Sequence, residues 1–333
     1  MDYKPLGRTG LTVSVAGLGC GGNSRLGLGR GKSDAEAVAL VRAALDEGVT
    51  FFDTAEAYGT EHILGQAFTP ADWDRVVVST KSRILRDGER LSAADVVANL
   101  EASLRRLRRE RVDVFLFHGI APQHYDYVRE MLAPALLAEK QKGKIGHLGL
   151  SETGPGDPGQ TMLQGALSDP IWEVMMLAFH MLNQGARRHV FPRSEAQGVG
   201  TLLMFVVRNI FSRPGLLAGT MRKLAAEGKV PADLAARDSP LDFLIHEDGA
   251  SSLLDAAYRF ARHEPGADVI LFGTSDIGHL RTNIASIAAP PLPAADTAKL
   301  YELFGHLRGV GLDLPDHVAA QRAPGGQSTA GPS

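Results

Sequence analysis

The sequence predicts an α/β fold, a (β/α)8 or TIM barrel with an N-terminal β-hairpin and an extra C-terminal helix. Two observations carry that reading. Eight short apolar runs recur along the 333 residues, and stretches with helical periodicity separate them. The runs are apolar at nearly every position rather than at alternate ones, which marks strands buried on both faces of a parallel sheet covered by helices. Eight such units close into a barrel.

The elements follow in order. Residues 4–14, KPLGRTGLTVS, lack helical spacing and read as a hairpin that turns at Thr9-Gly10 and closes the barrel bottom. The eight runs are 15–19, 51–55, 76–80, 112–117, 145–151, 173–179, 201–207 and 268–273. Between the first two, residues 33–48 open on a Ser33/Glu36 capping box and close on Gly48, the start and stop signals of a helix. Apolar stripes at helical spacing predict further helices over 92–110, 127–143 and 251–264, and the extra helix over 295–310. Residues 208–248 contain Pro214, Pro231 and Pro240 and read as a long loop, of the length that commonly serves as a lid. One domain is expected over 1–319, followed by a tail, 320–333, of disordered composition that carries no chemistry.

Composition narrows the function classes. A hydrophobic fraction of 44%, a charged fraction of 22% and a net charge of −3 describe an ordinary soluble domain with no bias toward nucleic acid or a membrane surface. The apolar run 201–207 falls far short of the roughly 20 residues that span a bilayer. Cys20 is the single cysteine, so neither an internal disulfide nor a cysteine-rich zinc site is possible, and a cytoplasmic location is expected.

Chemistry concentrates where the runs end. Asp53 and Tyr58 lie in FFDTAEAYG at the end of the second run, Lys81 follows the third, and His118 follows the fourth. A packed core gains nothing from four titratable side chains at the ends of three successive strands, because a buried charge costs free energy unless paired. At the C-terminal face of a barrel such residues serve chemistry. Two other motifs fail. Residues 17–22 satisfy G-x-G-x-x-G, yet the next helix starts only at Ser33, too late to present its N-terminus to a pyrophosphate. Gly21 is instead expected where backbone approaches a ligand closely. Gly31-Lys32-Ser33 ends like a P-loop, but Leu26 stands where its first glycine is required.

In the order LGRTGLTVSVAGLGCGG (6–22), DTAEAYG (53–59), Lys81, His118, GKIGHLGLSE (143–152) and GTSDIGHLRTNI (273–284), the chain resembles the aldo-keto reductases. The resemblance spans nearly the whole length. It implies a barrel that binds NAD(P)(H) across its C-terminal face and interconverts carbonyls and alcohols without a metal. Asp53, Tyr58, Lys81 and His118 would be the catalytic tetrad. A phenol of ordinary pKa near 10 is a competent proton donor at neutral pH, and Lys81 beside it would draw that pKa down. His118 would orient the substrate carbonyl.

The resemblance also implies cofactor contacts. Ser151 and Glu152 fall where a carboxamide-binding pair is found, although Glu152 replaces a common Asn. Phe179 falls where an aromatic stacks on nicotinamide, and Arg208 could reach a phosphate. Gly273, Thr274, Ser275, Asp276, His279 and Asn283 follow the eighth run, where barrels bind phosphate and the family contacts adenine. Gly273 and His279 stand where NADPH-dependent relatives place Lys and Arg, and Asp276 would repel a 2′-phosphate, so NAD(H) is favoured unless Arg208 or Arg281 supplies the charge. The expected partner is a small carbonyl or alcohol, possibly a sugar. A redox-sensing subunit of the potassium-channel β type and an NAD-dependent sugar dehydrogenase are the rival readings.

Overall fold

The structure is a computed structural model, and it describes residues 1–313. The tail expected over 320–333 lies outside the described residues. A short antiparallel hairpin, β1 (Tyr3–Pro5) and β2 (Thr12–Ser14), comes first. The barrel strands β3 (Ala16–Gly19), β4 (Phe51–Asp53) and β5 (Val77–Ser82) follow. A two-residue pair, β6 (Leu85–Arg86) and β7 (Glu89–Arg90), forms a small outlying hairpin. Then come β8 (Val112–Ile120), β9 (Ile145–Glu152), β10 (Val174–Ala178), β11 (Gly200–Met204) and β12 (Val269–Phe272). The eight long-range strands pair in parallel and close on themselves in the order β10-β11-β12-β3-β4-β5-β8-β9. This is the (β/α)8 barrel that the alternation of runs and helices predicts.

The parity of each strand sorts its side chains between two cores. Phe51, Val77, Val114, Leu116, Val174, Met176, Leu202 and Val269 face inward and fill the barrel, joined by Leu6 and Val13 from the hairpin segment. Their neighbours Phe52, Val78, Phe115, Phe117, Leu148, Leu150, Met175 and Leu177 face outward under the helices. The hairpin thus plugs the N-terminal end. Gly7 makes the plug possible, because its φ is +50° and a Cβ built on it would lie 2.3 Å from the Gly200 nitrogen.

The helices begin where their caps place them. Ser33 accepts from the Glu36 N–H while Glu36 accepts from the Ser33 N–H, and the helix Asp34–Asp46 starts there. Ser92 and Asp95 repeat that arrangement at the head of Ala93–Leu107. The extra helix is Ala294–Phe304.

Two segments depart from expectation. Residues 208–248 are not a long loop: they hold the helices Asn209–Ser212, Leu216–Ala226 and Ala232–Ala235 and a 3-10 turn at Asp242–Leu244. The prolines there sit between helices, and Ala218, Met221 and Leu224 supply a buried stripe. Strand β11 stops at Met204, short of the expected 207, because Phe205 turns into the left-handed region at φ +66°. The β-branched pair Val206-Val207 had extended the apparent run.

Candidate active site

The ends of three strands, β4, β5 and β8, bring Asp53, Tyr58, Lys81 and His118 to one place. Asp53, Lys81 and His118 share inward parity with Phe51, Val77 and Leu116 on their own strands, so all three point into the C-terminal mouth of the barrel. Tyr58 arrives on the 3-10 turn Glu56–Tyr58 that follows β4. The Lys81 ammonium is 0% exposed and has three acceptors: both Asp53 oxygens and the Thr54 carbonyl, each at 2.7 Å. Asp53 is held in turn by the Ser79 hydroxyl at 2.5 Å. With its donors taken, Lys81 lies under the Tyr58 ring, 4.9 Å from its centre. The Tyr58 hydroxyl and His118 Nε2 are 3.4 Å apart, with the rings edge to face at 87°.

The electrostatics correct one expectation. Burial pushes the Tyr58 phenol above its ordinary range, and the opposing Lys81 charge does not reverse that shift. The tyrosine is therefore a neutral proton donor at physiological pH, rather than one poised to ionise. Burial also works against the Lys81 charge, but Asp53 and Tyr58 outweigh it and hold the ammonium firmly protonated. His118 is lowered to about 3, first by burial and then by the charges of Lys81 and Arg83, so it is neutral in water near pH 7.

Gly21 lies directly against Tyr58. A Cβ built there would fall 2.6 Å from the Tyr58 ring, so the glycine is the floor on which that ring lies. Gly21→Ala is expected to displace the phenol from His118 and lower kcat at least tenfold, with thermal stability nearly unchanged. Turnover equal to wild type would show that the ring position is not set there.

The expected cofactor contacts divide. Ser151 has inward parity and its Oγ accepts from the Gly119 N–H at 3.1 Å, next to His118. Glu152 has the opposite parity. It is buried behind the mouth, where Oε1 accepts from the Ala178 N–H at 2.6 Å and from Gln160 at 3.2 Å, so it cannot pair with Ser151 on a carboxamide. Phe179 likewise follows the outward parity of Met175 and Leu177. Its ring is 0% exposed, stacked on Phe260 at 5.7 Å and edge to face with Phe191, out of reach of a ring in the mouth. Arg208 is engaged with Asp313 through both its carbonyl and its carboxylate.

The segment after β12 stays together. Thr274 and Ser275 are buried, and Thr274 accepts from the Asp276 N–H at 3.1 Å. Asp276 caps the helix Ile277–Ala288 by accepting from the His279 N–H at 2.8 Å, while Asn283 lies half-buried further along that helix. Gly273 is exposed at the strand end, its open side toward Ser24 Oγ.

Two features of the mouth escaped the sequence. Phe205 is a non-glycine residue held at φ +66°, a strain that clusters at functional sites, and the Arg208 guanidinium sits 4.4 Å from its ring centre. No residue pattern announces that backbone angle. The second feature is a cavity of about 510 Å³ between the loop after β3 and the segment after β11, lined by Asn23, Arg25, Arg30, Asn209, Ser212 and Arg213. Its arginines lie far apart in the chain, so no local charge run betrays them.

A model of the "Aldo/keto reductase family" matches residues 17–304. The chain belongs to the aldo/keto reductase family. Over 317 residues this aldo/keto reductase is 25% identical to an L-galactose dehydrogenase of Arabidopsis thaliana, covering 93% of this chain and 95% of the relative. It is 26% identical over 306 residues to the aldo-keto reductase YhdN of Bacillus subtilis, covering 84% and 87%. Among solved structures, a putative aldo-keto reductase from Pseudomonas aeruginosa matches with a TM-score of 0.60 at 27% identity, covering 86% of this chain and 94% of the other. The holo form of AKR11C1 from Bacillus halodurans shares the fold at a TM-score of 0.69 and 20% identity, covering 91% and 96%. Among the described residues of this reductase, no helix is long and apolar enough to cross a membrane.

Buried Glu152 gives the reductase a pH signature. Burial raises its pKa to about 8, from an ordinary value of 4.5. The folded state therefore holds a proton that the unfolded chain releases above pH 4.5, and stability falls as pH rises toward and through 8. Glu152→Gln is expected to match wild type near pH 5 and to be more stable by at least ~2 kcal/mol at pH 9. Parallel melting curves for the two proteins from pH 5 to pH 9 would contradict this.

Proposed function

We propose that the chain transfers hydride between NAD(P)(H) and the carbonyl or hydroxyl carbon of a small substrate, with Tyr58 exchanging the proton. The observation that carries this reading is the Tyr58 hydroxyl 3.4 Å from His118 Nε2 over a buried Lys81 whose ammonium has three acceptors. The nicotinamide, when bound, supplies the hydride. The chain supplies the rest. An oxygen seated within reach of both Tyr58 and His118 is fixed in position, and Tyr58 gives its proton to that oxygen as negative charge develops there. The Lys81 ammonium beneath the ring stabilises the phenolate left behind. In the oxidative direction the same phenolate takes the proton back.

The residues present suit a dinucleotide. The cavity of about 510 Å³ brings Arg25, Arg30 and Arg213 together at the mouth, a donor set matched to a pyrophosphate. Ser151, Thr274 and Ser275 would take polar edges of the cofactor around it.

NAD(H) remains the favoured form. Neither arginine that could compensate for Gly273 and His279 is at hand: Arg208 is engaged with Asp313, and Arg281 donates to Glu47 at 2.6 Å. Lys32 is the opposing consideration, since its ammonium reaches the Ser275 carbonyl at 2.6 Å. A sugar is the leading substrate class, because the chain aligns end to end with a relative named L-galactose dehydrogenase. The test is a panel of aldoses, aldehydes and ketones assayed in both directions with both cofactors. Oxidation of an aldose with NAD is expected to give the highest kcat/KM. A tenfold preference for NADPH would overturn the cofactor assignment, and no turnover of any member would overturn the function.

A further inference from the structure

A second cavity, of about 280 Å³, lies beside the mouth on the far side of the Glu56–Tyr58 turn. Its walls come from that turn, from the β6–β7 hairpin and from the helix Ala93–Leu107. Three arginines are among the residues that line it: Arg83, Arg86 and Arg106. Arg106 is fixed by Glu61, which accepts from its Nε at 2.6 Å and from the Thr80 hydroxyl at 2.5 Å. The side chains of Arg83 and Arg86 form no hydrogen bond or ion pair among the described residues. Glu56 is the one acid in the wall, and its Oε1 is already engaged by the Arg83 backbone N–H at 2.7 Å. Leu85, Leu91 and the alanines 57 and 102 make up the apolar part of the lining.

We propose that this cavity binds a small organic anion, a carboxylate or phosphate monoester with a short apolar body. Three arginines set against Glu56 in the wall and Glu61 behind Arg106 leave an excess of positive charge, and a bound anion offsets it while forming charge-assisted, forked hydrogen bonds with the guanidinium groups. The apolar wall favours an organic anion over chloride. The position gives the binding a consequence. Arg83 is two residues beyond Lys81, and its charge is among those that lower the pKa of His118. Thr80, bonded through Glu61 to Arg106, directly precedes Lys81 on β5. The anion could be the charged end of the substrate itself or a separate effector, and both share this chemistry.

Calorimetric titration of the full chain with sodium benzoate at low salt tests the site without any turnover. Benzoate is expected to bind, benzamide is not, and Arg83→Leu/Arg86→Leu is expected to weaken benzoate at least tenfold. Arg83→Lys/Arg86→Lys keeps the charges and should retain most of the binding, which separates lost charge from lost fold. Equal benzoate affinity in wild type and the double leucine variant, or no benzoate binding by wild type, overturns the proposal. A kinetic arm rests on the proposed function and identifies the source. A kcat/KM ratio of 4-carboxybenzaldehyde to 4-methylbenzaldehyde that collapses in the leucine variant assigns the site to the substrate's own anion. An unchanged ratio with non-competitive benzoate assigns it to an effector. Failure to reduce any aldehyde sinks the function alone, because the benzoate titration stands without it.

Discussion

Tyr58→Phe will lower kcat for carbonyl reduction by about 10²–10⁴-fold, the usual contribution of a general acid, while the Kd for cofactor stays nearly unchanged. The substitution removes one oxygen and leaves the ring, so the contact with Gly21 and the Lys81 ammonium below are preserved. What disappears is the hydroxyl whose oxygen lies 3.4 Å from His118 Nε2. The neighbouring hydroxyls among the described residues are engaged elsewhere: Ser79 donates to Asp53, Thr54 is paired with Thr60 at 2.9 Å, and Ser151 donates to the Glu152 carbonyl at 3.4 Å. The remaining loss should divide in a diagnostic way. If Tyr58 acts only as the acid, KM for substrate changes little and a hydroxyl-bearing substrate gains nothing from higher pH. Turnover within threefold of wild type would remove Tyr58 from the mechanism, and a matching loss of cofactor affinity would recast it as a packing residue.

The barrel and the clustering of Asp53, Tyr58, Lys81 and His118 are legible in the sequence because both rest on strong, local regularities. Strand parity is the more informative of the two. Counting by twos from the inward residues Phe51, Val77 and Leu116 reaches Asp53, Lys81 and His118, and the same count on β9 reaches Ser151 from Gly149. Applied to Glu152 and Phe179, it gives the outward face, where the structure buries them. At those two positions strand parity and the family pattern point to different faces, and parity matches the structure. The segment 208–248 failed for a different reason. Its three prolines mark helix boundaries as readily as loops, and only the packing of Met221 and Leu224 decides between them. Phe205 and the two arginine-lined cavities depend on one backbone angle and on residues distant in sequence, and no window of sequence carries that information.

Asp53→Leu is expected to cost about 3–5 kcal/mol of stability, the penalty for leaving one member of a buried ion pair without its partner. Lys81 is fully buried, and removing Asp53 takes away two of its three acceptors, leaving the Thr54 carbonyl. Lys81→Met should be costly for the mirror reason, since among the described residues Asp53 would keep only the Ser79 hydroxyl as a side-chain donor to its carboxylate. Asp53→Leu/Lys81→Met removes both charges from a site walled by the barrel core and should recover much of the lost stability. Activity should not follow. The double variant keeps the ring of Tyr58 but has no ammonium to stabilise its phenolate, so kcat should stay depressed by orders of magnitude while the melting temperature returns toward wild type. Denaturation curves and turnover on the same four proteins decide the matter. Recovery of both would make the pair a structural salt bridge with no part in the proton transfer, whereas recovery of stability alone places the Lys81 charge in the chemistry.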